Sequence, residues 1–352
     1  MSWFSSTLRG VPLARLRGGN NEGVLVLSIA ILSVAIGLAT PSFWSLGTLL
    51  NVSTNSLTNL VFAMGVLIVI ISGGIDVSFA AIGIFAGYSV IVLANSTGFG
   101  ASAAWVGFAI AAGIGLGLGM LNAAAIAGLR LPTLIVTLGT QGIIRGALLS
   151  VIGSKVIPNY PPGLDNLSTN YLITAQGAAS QGAGATRLSV LIIPAILICV
   201  LVSLLLRYTM VGRGIYAIGG DAESARRTGF PVVSIQVFIY ALAGILAGIA
   251  GMMHVTQVRL ANPYELVGGE LDVIAAVVLG GASIFGGKGS VAGTVLGVVL
   301  IALIKSSLIL LGVPGSWQRA AVGLLLLIGV TAQALSAGVQ RRRIDLLAES
   351  AP

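Results

Sequence analysis

GGDAESARRTGFP, from Gly219 to Pro231, is a short polar segment between two long apolar stretches. It carries four charged side chains within seven residues: Asp221, Glu223, Arg226 and Arg227. On membrane-insertion scales, one Arg or Asp at the centre of a helix costs about 2.5 to 3.5 kcal/mol. This segment, called the polar island below, must therefore lie in water at one side of a membrane. We expect a partner protein to bind it there.

The composition of the whole chain indicates the same setting. Of the 352 residues, 56% are hydrophobic and 8% are charged, and the mean hydropathy is +1.04. This composition is typical of a polytopic membrane protein. The 49 glycines agree with it, because small residues let membrane helices approach closely. The alternate glycines from Gly113 to Gly119, and the pair Gly244 and Gly248, have the spacing for such contacts.

Apolar runs predict the number of membrane spans. The sequence holds about ten runs long enough to cross a bilayer. We therefore expect an all-α, polytopic integral membrane protein of about ten transmembrane helices with broken or re-entrant segments. The predicted spans are 24–40, 47–72, 77–95, 103–128, 132–152, 188–206, 233–257, 270–284, 290–311 and 317–336.

Two glycine-rich breaks interrupt the apolar runs. They are SGGID at Ser72–Asp76 and LGGASIFGGKGS at Leu279–Ser290. Glycine pairs at such positions indicate broken helices or re-entrant turns, which transporters use where backbone lines a cavity. VIISGGIDVS and AVVLGGASIF resemble each other weakly, and this similarity suggests an internal repeat.

The basic residues predict the orientation. With the N-terminus inside, twelve Lys and Arg fall inside and four outside, and two lie within spans. We therefore expect a cytoplasmic segment 1–23, a transmembrane domain 24–336 and a cytoplasmic tail 337–352. A cytoplasmic loop at 207–232 contains the polar island, and a loop on the opposite side, called the periplasmic loop below, covers 153–187. The net charge of +8 reflects this topology rather than nucleic-acid binding, because the cations are scattered between spans.

The periplasmic loop has two halves of different character. IPNYPPGLDNLS is rich in turn-forming residues, whereas AQGAASQGAGAT is a low-complexity stretch that favours a flexible connection. Two interpretations stay open: the loop binds an external protein, or it covers the mouth of the bundle.

The residues that catalysis and metal binding need are missing from this sequence. GGKGS lacks the first glycine and the final hydroxyl of a phosphate-binding P-loop. One histidine, His254, and one cysteine, Cys199, form no metal-ligand cluster, and a single cysteine excludes an intrachain disulfide. We expect no catalytic residues, no metal site, no bound cofactor and no enzyme activity of this chain alone.

A polar stripe on the second span is the best candidate for a solute pathway. Asn51, Asn55 and Asn59 follow each other at four-residue spacing on one helix face, and Ser56 and Thr58 add hydroxyls nearby. Uncharged donors and acceptors suit a polyhydroxylated solute, whose hydroxyls need partners when water is removed. The structural alternative is hydrogen bonding between helices, worth about 0.6 kcal/mol per pair in lipid.

Four further polar residues lie in or beside the apolar runs. Asp76 either caps the next helix through its free amides or has a gating role. Arg145, about one turn from Gln141, faces the pore, pairs with another group or reaches the interface. Lys305 lies near a span end, and we expect it to extend to the interface. Asp76, Gln141 and Arg145 join the asparagines as candidate pathway residues.

Four blocks of this sequence carry a resemblance to a known family. They are ISGGIDVS (71–78), VTLGTQGIIRG (136–146), GRGIYAIGGDAESARRTGF (212–230) and ELDVIAAVVLGGASIFGGKGSVAGTVLG (270–297). In this order and at full-length spacing, they resemble the permeases of bacterial ABC importers for ribose, xylose, arabinose and related sugars. Autoinducer-2 permeases are similar too, including LGVPGSW before the last span.

The resemblance implies partners for this chain. They are a cytoplasmic ABC ATPase that uses ATP and Mg²⁺, a periplasmic solute-binding protein, and a second permease copy or homologue in the lipid bilayer of a bacterial inner membrane. It also implies an ATPase-coupling element in the polar island. On a helix, Ala225 and Gly229 would offer the ATPase a small face flanked by charges. The implied coupling residues are Gly220, Asp221, Glu223, Ala225, Arg226 and Gly229.

These inferences predict the translocation subunit of an ATP-driven importer for a monosaccharide or a similar small polyhydroxylated solute. The expected mechanism is alternating access driven by separate ATPase subunits. The alternatives are an ion-coupled carrier or facilitator for a small polar solute and, more remotely, a membrane scaffold.

Overall fold

The computed structural model describes residues 22–97, 104–158, 161–175, 186–327 and 331. Within these residues the protein is an all-α bundle with one short β-hairpin, as the composition predicts. The first segment 1–21, with its three arginines, and the tail 337–352 lie outside the described residues, so their expected cytoplasmic location stays a prediction. The described part of the tenth predicted span is helical over 315–327 and at residue 331.

The elements follow one another with short connections. Two helices end in a π-helical turn: α4 continues through Ala124–Gly128, and α5 continues through Leu148–Ile152. The elements are α1 Glu22–Ala39, α2 Leu46–Ile71, α3 Phe79–Thr97, α4 Ala104–Ala123, α5 Thr133–Ala147, α6 Pro162–Thr169, β1 Tyr171–Ala175, β2 Thr186–Ser189, α7 Ile192–Tyr208, α8 Met210–Gly220, α9 Ala222–Arg227, α10 Val232–Val258, α11 Glu270–Leu279 and α12 Val291–Leu310.

Six of the described helices are long and apolar enough to cross a membrane. A seventh span results if α7 and α8 are counted as one, although they are bent by 74° at Thr209. The prediction of a full span at 270–284 was wrong. The helix there, α11, has ten residues and is therefore about 15 Å long, which is half of a bilayer's hydrocarbon core.

The core forms where α2, α3, α4 and α10 pack together. Every residue of α2 from Val61 to Ile71 is buried, and glycines let the other helices approach. A Cβ atom on Gly115 or Gly119 would overlap the backbone of α10, at Gly244 or Tyr240. The alternate glycines Gly113 and Gly117 have no atom of another group near them. Only half of the predicted glycine run therefore packs against another helix.

The loops collect at two opposite ends of the bundle. At one end, where α2 terminates, the Gly287 amide donates to the Ile71 carbonyl at 2.8 Å. At the other end, where α2 begins, Thr54 donates its hydroxyl to the Arg187 carbonyl at 3.2 Å. Which of these ends faces the cytoplasm stays a prediction from the basic residues.

The predicted periplasmic loop contains regular structure in its described residues. Its first half contains the short helix α6, and β1 pairs with β2 on either side of 176–185, which lies outside the described residues. Asp165 of α6 forms an ion pair with Arg259, and Ile157 pairs with Ala261 as a β-bridge. These contacts attach the described part of the loop to the C-terminal end of α10, which favours the covering interpretation.

Candidate functional site

The polar island forms the last two residues of α8, the six-residue helix α9 and the turn before α10. Asp221 is the N-cap of α9, and its Oδ1 accepts a hydrogen bond from the Ser224 amide at 2.6 Å. The Ser224 hydrogen bonds lower the pKa of Asp221 below its usual value, because they stabilise the carboxylate. The chain leaves α9 through Gly229, which has φ of +91°. An Asp cap and a left-handed glycine thus fix both ends of this short helix.

The predicted small face of Ala225 and Gly229 was wrong. The Ala225 side chain is 3% exposed and packs into the protein, so a partner cannot reach it. Gly229 lies beyond the helix, where its amide donates to the Arg226 carbonyl and closes the last turn. The four-residue spacing failed as a guide because α9 ends at Arg227.

The outward face of α9 is charged. The Glu223 carboxylate lies 3.6 Å from the Arg226 guanidinium and 3.4 Å from that of Arg227. Exposed pairs at this spacing contribute only about 0.3 to 0.5 kcal/mol each, so they remain free to exchange partners. Glu223, Arg226 and Arg227 therefore present both signs of charge to a protein that approaches this end.

The polar island contacts both glycine-rich breaks. Gly219 packs so closely against the Ile71 carbonyl that a Cβ atom would overlap it. The Cα atom of Gly73 and the Gly219 backbone both border Gly286. Tyr216 of α8 donates its hydroxyl to the Gly289 carbonyl at 2.8 Å. A displacement of α8 and α9 would therefore act directly on the end of α2 and on the loop between α11 and α12.

The two breaks share one local structure. After α2, the Gly73 amide donates to Ile70 and the Gly74 amide to Val69. After α11, the Gly281 amide donates to Val278 and the Ala282 amide to Val277. This is the Schellman pattern of hydrogen bonds at both helix ends.

The structural correspondence between the two breaks is shifted by one residue relative to the alignment of their sequences. Gly73, with φ of +86°, corresponds to Gly281, with φ of +92°, and not to Gly280. The sequence alignment pairs the two glycines of one break with the two of the other. The structure instead pairs the two glycines that have a positive φ.

Asp76 is buried and bonded within its own segment. Its Oδ1 accepts hydrogen bonds from the Ser78 amide and the Ser78 hydroxyl, each at 2.7 Å. Asn122 of α4 donates to the same hydroxyl at 2.8 Å. The carboxylate therefore caps the start of α3 and ties it to α4, a geometry that fits the capping interpretation better than an open pathway.

Gln141 and Arg145, both on α5, bind one carboxylate that the sequence analysis did not identify. Both donate to Oε1 of Glu270, the first residue of α11, and the Gln141 bond measures 2.8 Å. Glu270 is 6% exposed, and the buried Nε of Arg145 has no partner among the described residues. Of the roles considered for Arg145, the structure shows pairing.

Lys305 differs from its prediction. Instead of extending to the interface, it forms an ion pair with Asp272, which lies two residues after Glu270 and on the other side of α11. The first turn of α11 thus binds α5 through Glu270 and α12 through Asp272. Two carboxylates at the start of a predicted span, with two cations inside other spans, were the signal that could have revealed both pairs.

The asparagine stripe on α2 stays apart from this cluster. Asn51 and Asn55 are exposed and Asn59 is half-buried. Within the described residues, none of their amides has a hydrogen-bond partner. Thr58 lies on the buried side of α2 and donates to Gln257 of α10 at 2.9 Å. The hydroxyls expected beside the stripe therefore belong to helix packing, and the asparagines form an open polar face.

Comparisons with known proteins identify the family. Residues 48–330 match the family model described as branched-chain amino acid transport system / permease component. The chain is 32% identical over 310 residues to the autoinducer 2 import system permease protein LsrC of Yersinia enterocolitica, covering 88% of this chain and 81% of that protein. LsrC of Yersinia pseudotuberculosis is also 32% identical, with 88% and 83% covered. No solved structure matches the chain.

These matches confirm the resemblance to importer permeases, and they extend over nearly all of the described bundle. The polar island, both glycine-rich breaks and the Glu270 cluster all fall within the matched residues. The chain belongs to the family of branched-chain amino acid transport system permease components, and it is a multi-pass membrane transport subunit rather than an enzyme.

Proposed function

We propose that this chain is the translocation subunit of an ATP-driven importer, and that α9 is its contact with a cytoplasmic ATPase. The observation that carries the proposal is the position of α9. It presents Glu223, Arg226 and Arg227 outward, while the adjoining α8 contacts both glycine-rich breaks through Gly219. A partner that moves α9 would therefore move the ends of α2 and α11.

We infer the class of solute from polar side chains that are accessible on the bundle and have no hydrogen-bond partner among the described residues. The three asparagines offer uncharged donors and acceptors, which suit a small polyhydroxylated molecule such as a monosaccharide. The relatives named as autoinducer 2 import permeases support a solute of this general kind. We place Asn51, Asn55 and Asn59 on the solute path, with Gln141 and Arg145 controlling the contact between α5 and α11.

The remaining partners follow from the same assignment. The end that carries Thr54, Arg187 and α6 would face the periplasm and receive solute from a binding protein. The polar island and both termini would face the cytoplasm of a bacterial cell. The partially exposed α4 and α5 leave room for a second permease copy or a homologue beside them.

Co-purification with the ATPase encoded beside this chain tests the proposal. Glu223→Arg and Arg227→Glu reverse charges on exposed side chains, so the fold should survive. We expect each to reduce ATPase retention in detergent, and ATP-dependent uptake into proteoliposomes to fall in parallel. Arg187→Glu, at the opposite end of α2, is the matched control and should leave retention unchanged.

Two results would contradict the proposal. One is equal ATPase retention by the wild type and both α9 variants. The other is uptake by the permease alone that follows an ion gradient without ATP, which would indicate a secondary carrier.

A further inference from the structure

A cavity of about 520 Å³ lies beside α9 at the same end of the bundle. Four segments form its walls: the first glycine-rich break, the turn between α4 and α5, the polar island and the start of α10. The residues that bear on its chemistry are Gly73, Arg130, Thr133, Ala222, Arg226 and Gln236. We call it the arginine cavity.

The charge of the arginine cavity is positive. Its lining contains two arginines and no carboxylate. Arg130 has no ion pair or hydrogen bond within the described part of the chain, and Arg226 has only the weak, exposed pair with Glu223. Asp76 is not part of the lining, and its Oδ1 is bonded to Ser78. Arg130 and Arg226 thus border a cavity whose own lining offers them no carboxylate partner.

Two guanidinium groups at one cavity favour a phosphate oxygen ligand. The planar fork of N–H donors fits phosphate geometry, and such charge-assisted hydrogen bonds are stronger than neutral ones. Gln236 adds an amide to the same lining, and Thr133 adds a hydroxyl that also shares a hydrogen bond with Tyr240 at 2.9 Å. The cavity is also large enough for a small head group.

Apolar side chains beside the cavity point to a lipid as the source of the phosphate. Leu131 and Leu134 line it and are 45% and 42% exposed, while Leu129 and Ile135 next to them are 71% and 68% exposed. They lie where α4 ends and α5 begins, at the edge of two predicted membrane spans. Basic pockets between membrane helices on the cytoplasmic side bind anionic head groups, and the basic residues predict that this end of the bundle lies there.

We propose that the arginine cavity binds the phosphate group of an anionic phospholipid, with Arg130 and Arg226 on the phosphate and an acyl chain along the exposed leucines. Arg226 belongs to α9, whereas Arg130 belongs to the turn between α4 and α5. The bound lipid therefore links α9 to the membrane body. The lipid site shares Arg226 with the proposed ATPase contact, so its test uses the purified permease without the ATPase.

Native mass spectrometry of the purified permease tests this, with phosphatidylglycerol and phosphatidylcholine added at matched concentrations. Arg130 has φ of +57°, a conformation that glycine adopts without strain, so Arg130→Gly should keep the fold. We expect Arg130→Gly combined with Arg226→Gln to weaken phosphatidylglycerol binding by about tenfold or more. Arg227→Gln is the matched control: its side chain is 78% exposed and does not line the cavity.

Inorganic phosphate, added alone and as a competitor, distinguishes the source of the ligand. Preference for phosphatidylglycerol, lost in the double variant and kept in Arg227→Gln, supports the lipid site. Phosphate binding with the same arginine dependence, without lipid preference, supports a phosphate site for a soluble compound and overturns the lipid assignment. Equal binding of both lipids, or no loss in the double variant, overturns the proposal. If the double variant no longer binds the ATPase but still binds phosphatidylglycerol as the wild type does, Arg226 serves only the ATPase contact and the lipid proposal is overturned.

Discussion

Arg145 on α5 forms an ion pair with Glu270, the residue at which the half-length helix α11 begins. The Glu270 side chain is 8% exposed and that of Arg145 is 26% exposed, so the pair is largely removed from water. A buried pair of this kind contributes little net stability, but removing one partner leaves a buried charge without compensation. The pair therefore fixes where α11 sits against α5.

The first prediction concerns this pair. Glu270→Ala and Arg145→Ala should each destabilise the permease by about 3 to 5 kcal/mol, because the remaining charge stays buried. Arg145→Met combined with Glu270→Gln should recover much of the loss, since no charge is left. Gln141→Leu removes only a neutral donor, and its loss should be nearer about 1 kcal/mol. Thermal unfolding of the four variants in detergent measures these differences, and additive losses in the double variant would refute the coupling.

The second prediction compares two adjacent glycines of the polar island. Gly219→Ala places a methyl group against the Ile71 carbonyl and should destabilise the packing of α8 by about 1 to 3 kcal/mol. Gly220→Ala meets no neighbouring atom, and as the last residue of α8 it should be neutral or slightly stabilising. Uptake and thermal unfolding, measured side by side, should separate the two variants. Equal behaviour would mean that α8 does not press on α2.

The sequence predicted the long helices well, because hydropathy alone determines them. The predicted spans 47–72, 233–257 and 290–311 became Leu46–Ile71, Val232–Val258 and Val291–Leu310. It overestimated α11 because the glycine-rich loop after Leu279 is as apolar as the helix before it. α11 is short because a Schellman turn ends it after Leu279, and the sequence alone does not show where such a turn forms.

The candidate site was less predictable, because its contacts join distant segments. Arg145 and Glu270 are 125 positions apart, and Lys305 and Asp272 are 33 apart. Hydropathy showed that both cations lie within predicted spans but could not identify their partners. The inward turn of Ala225 escaped prediction for a different reason: a six-residue helix has too few turns for periodicity to define its buried face.

The third prediction tests the contact between α4 and α10. Gly115→Leu should disrupt the packing, since even a Cβ atom at this position overlaps the Gly244 carbonyl. Gly117→Leu, half a turn away, has open space and should be tolerated. The expected readout is the yield of monodisperse protein on gel filtration, low for the first variant and near wild type for the second. A normal yield for Gly115→Leu would contradict the packing of these helices.

The fourth prediction decides the role of Asp76. If the carboxylate acts as a cap for α3, an amide of the same shape should replace it, because its oxygen can still accept from the Ser78 amide. We therefore expect Asp76→Asn to retain most ATP-dependent uptake, whereas Asp76→Ala should lose about 0.5 to 2 kcal/mol of stability with the cap.

Asn122→Ala is the matched control for that prediction. It removes the donor to Ser78 but leaves the carboxylate and its two hydrogen bonds in place. Its stability should fall by less than that of Asp76→Ala, and its uptake should follow its stability. A gating role would give a different result. In that case, Asp76→Asn would be folded and as stable as the wild type but would show no uptake. In that case the negative charge itself, rather than the shape of the cap, would be what transport requires at the start of α3.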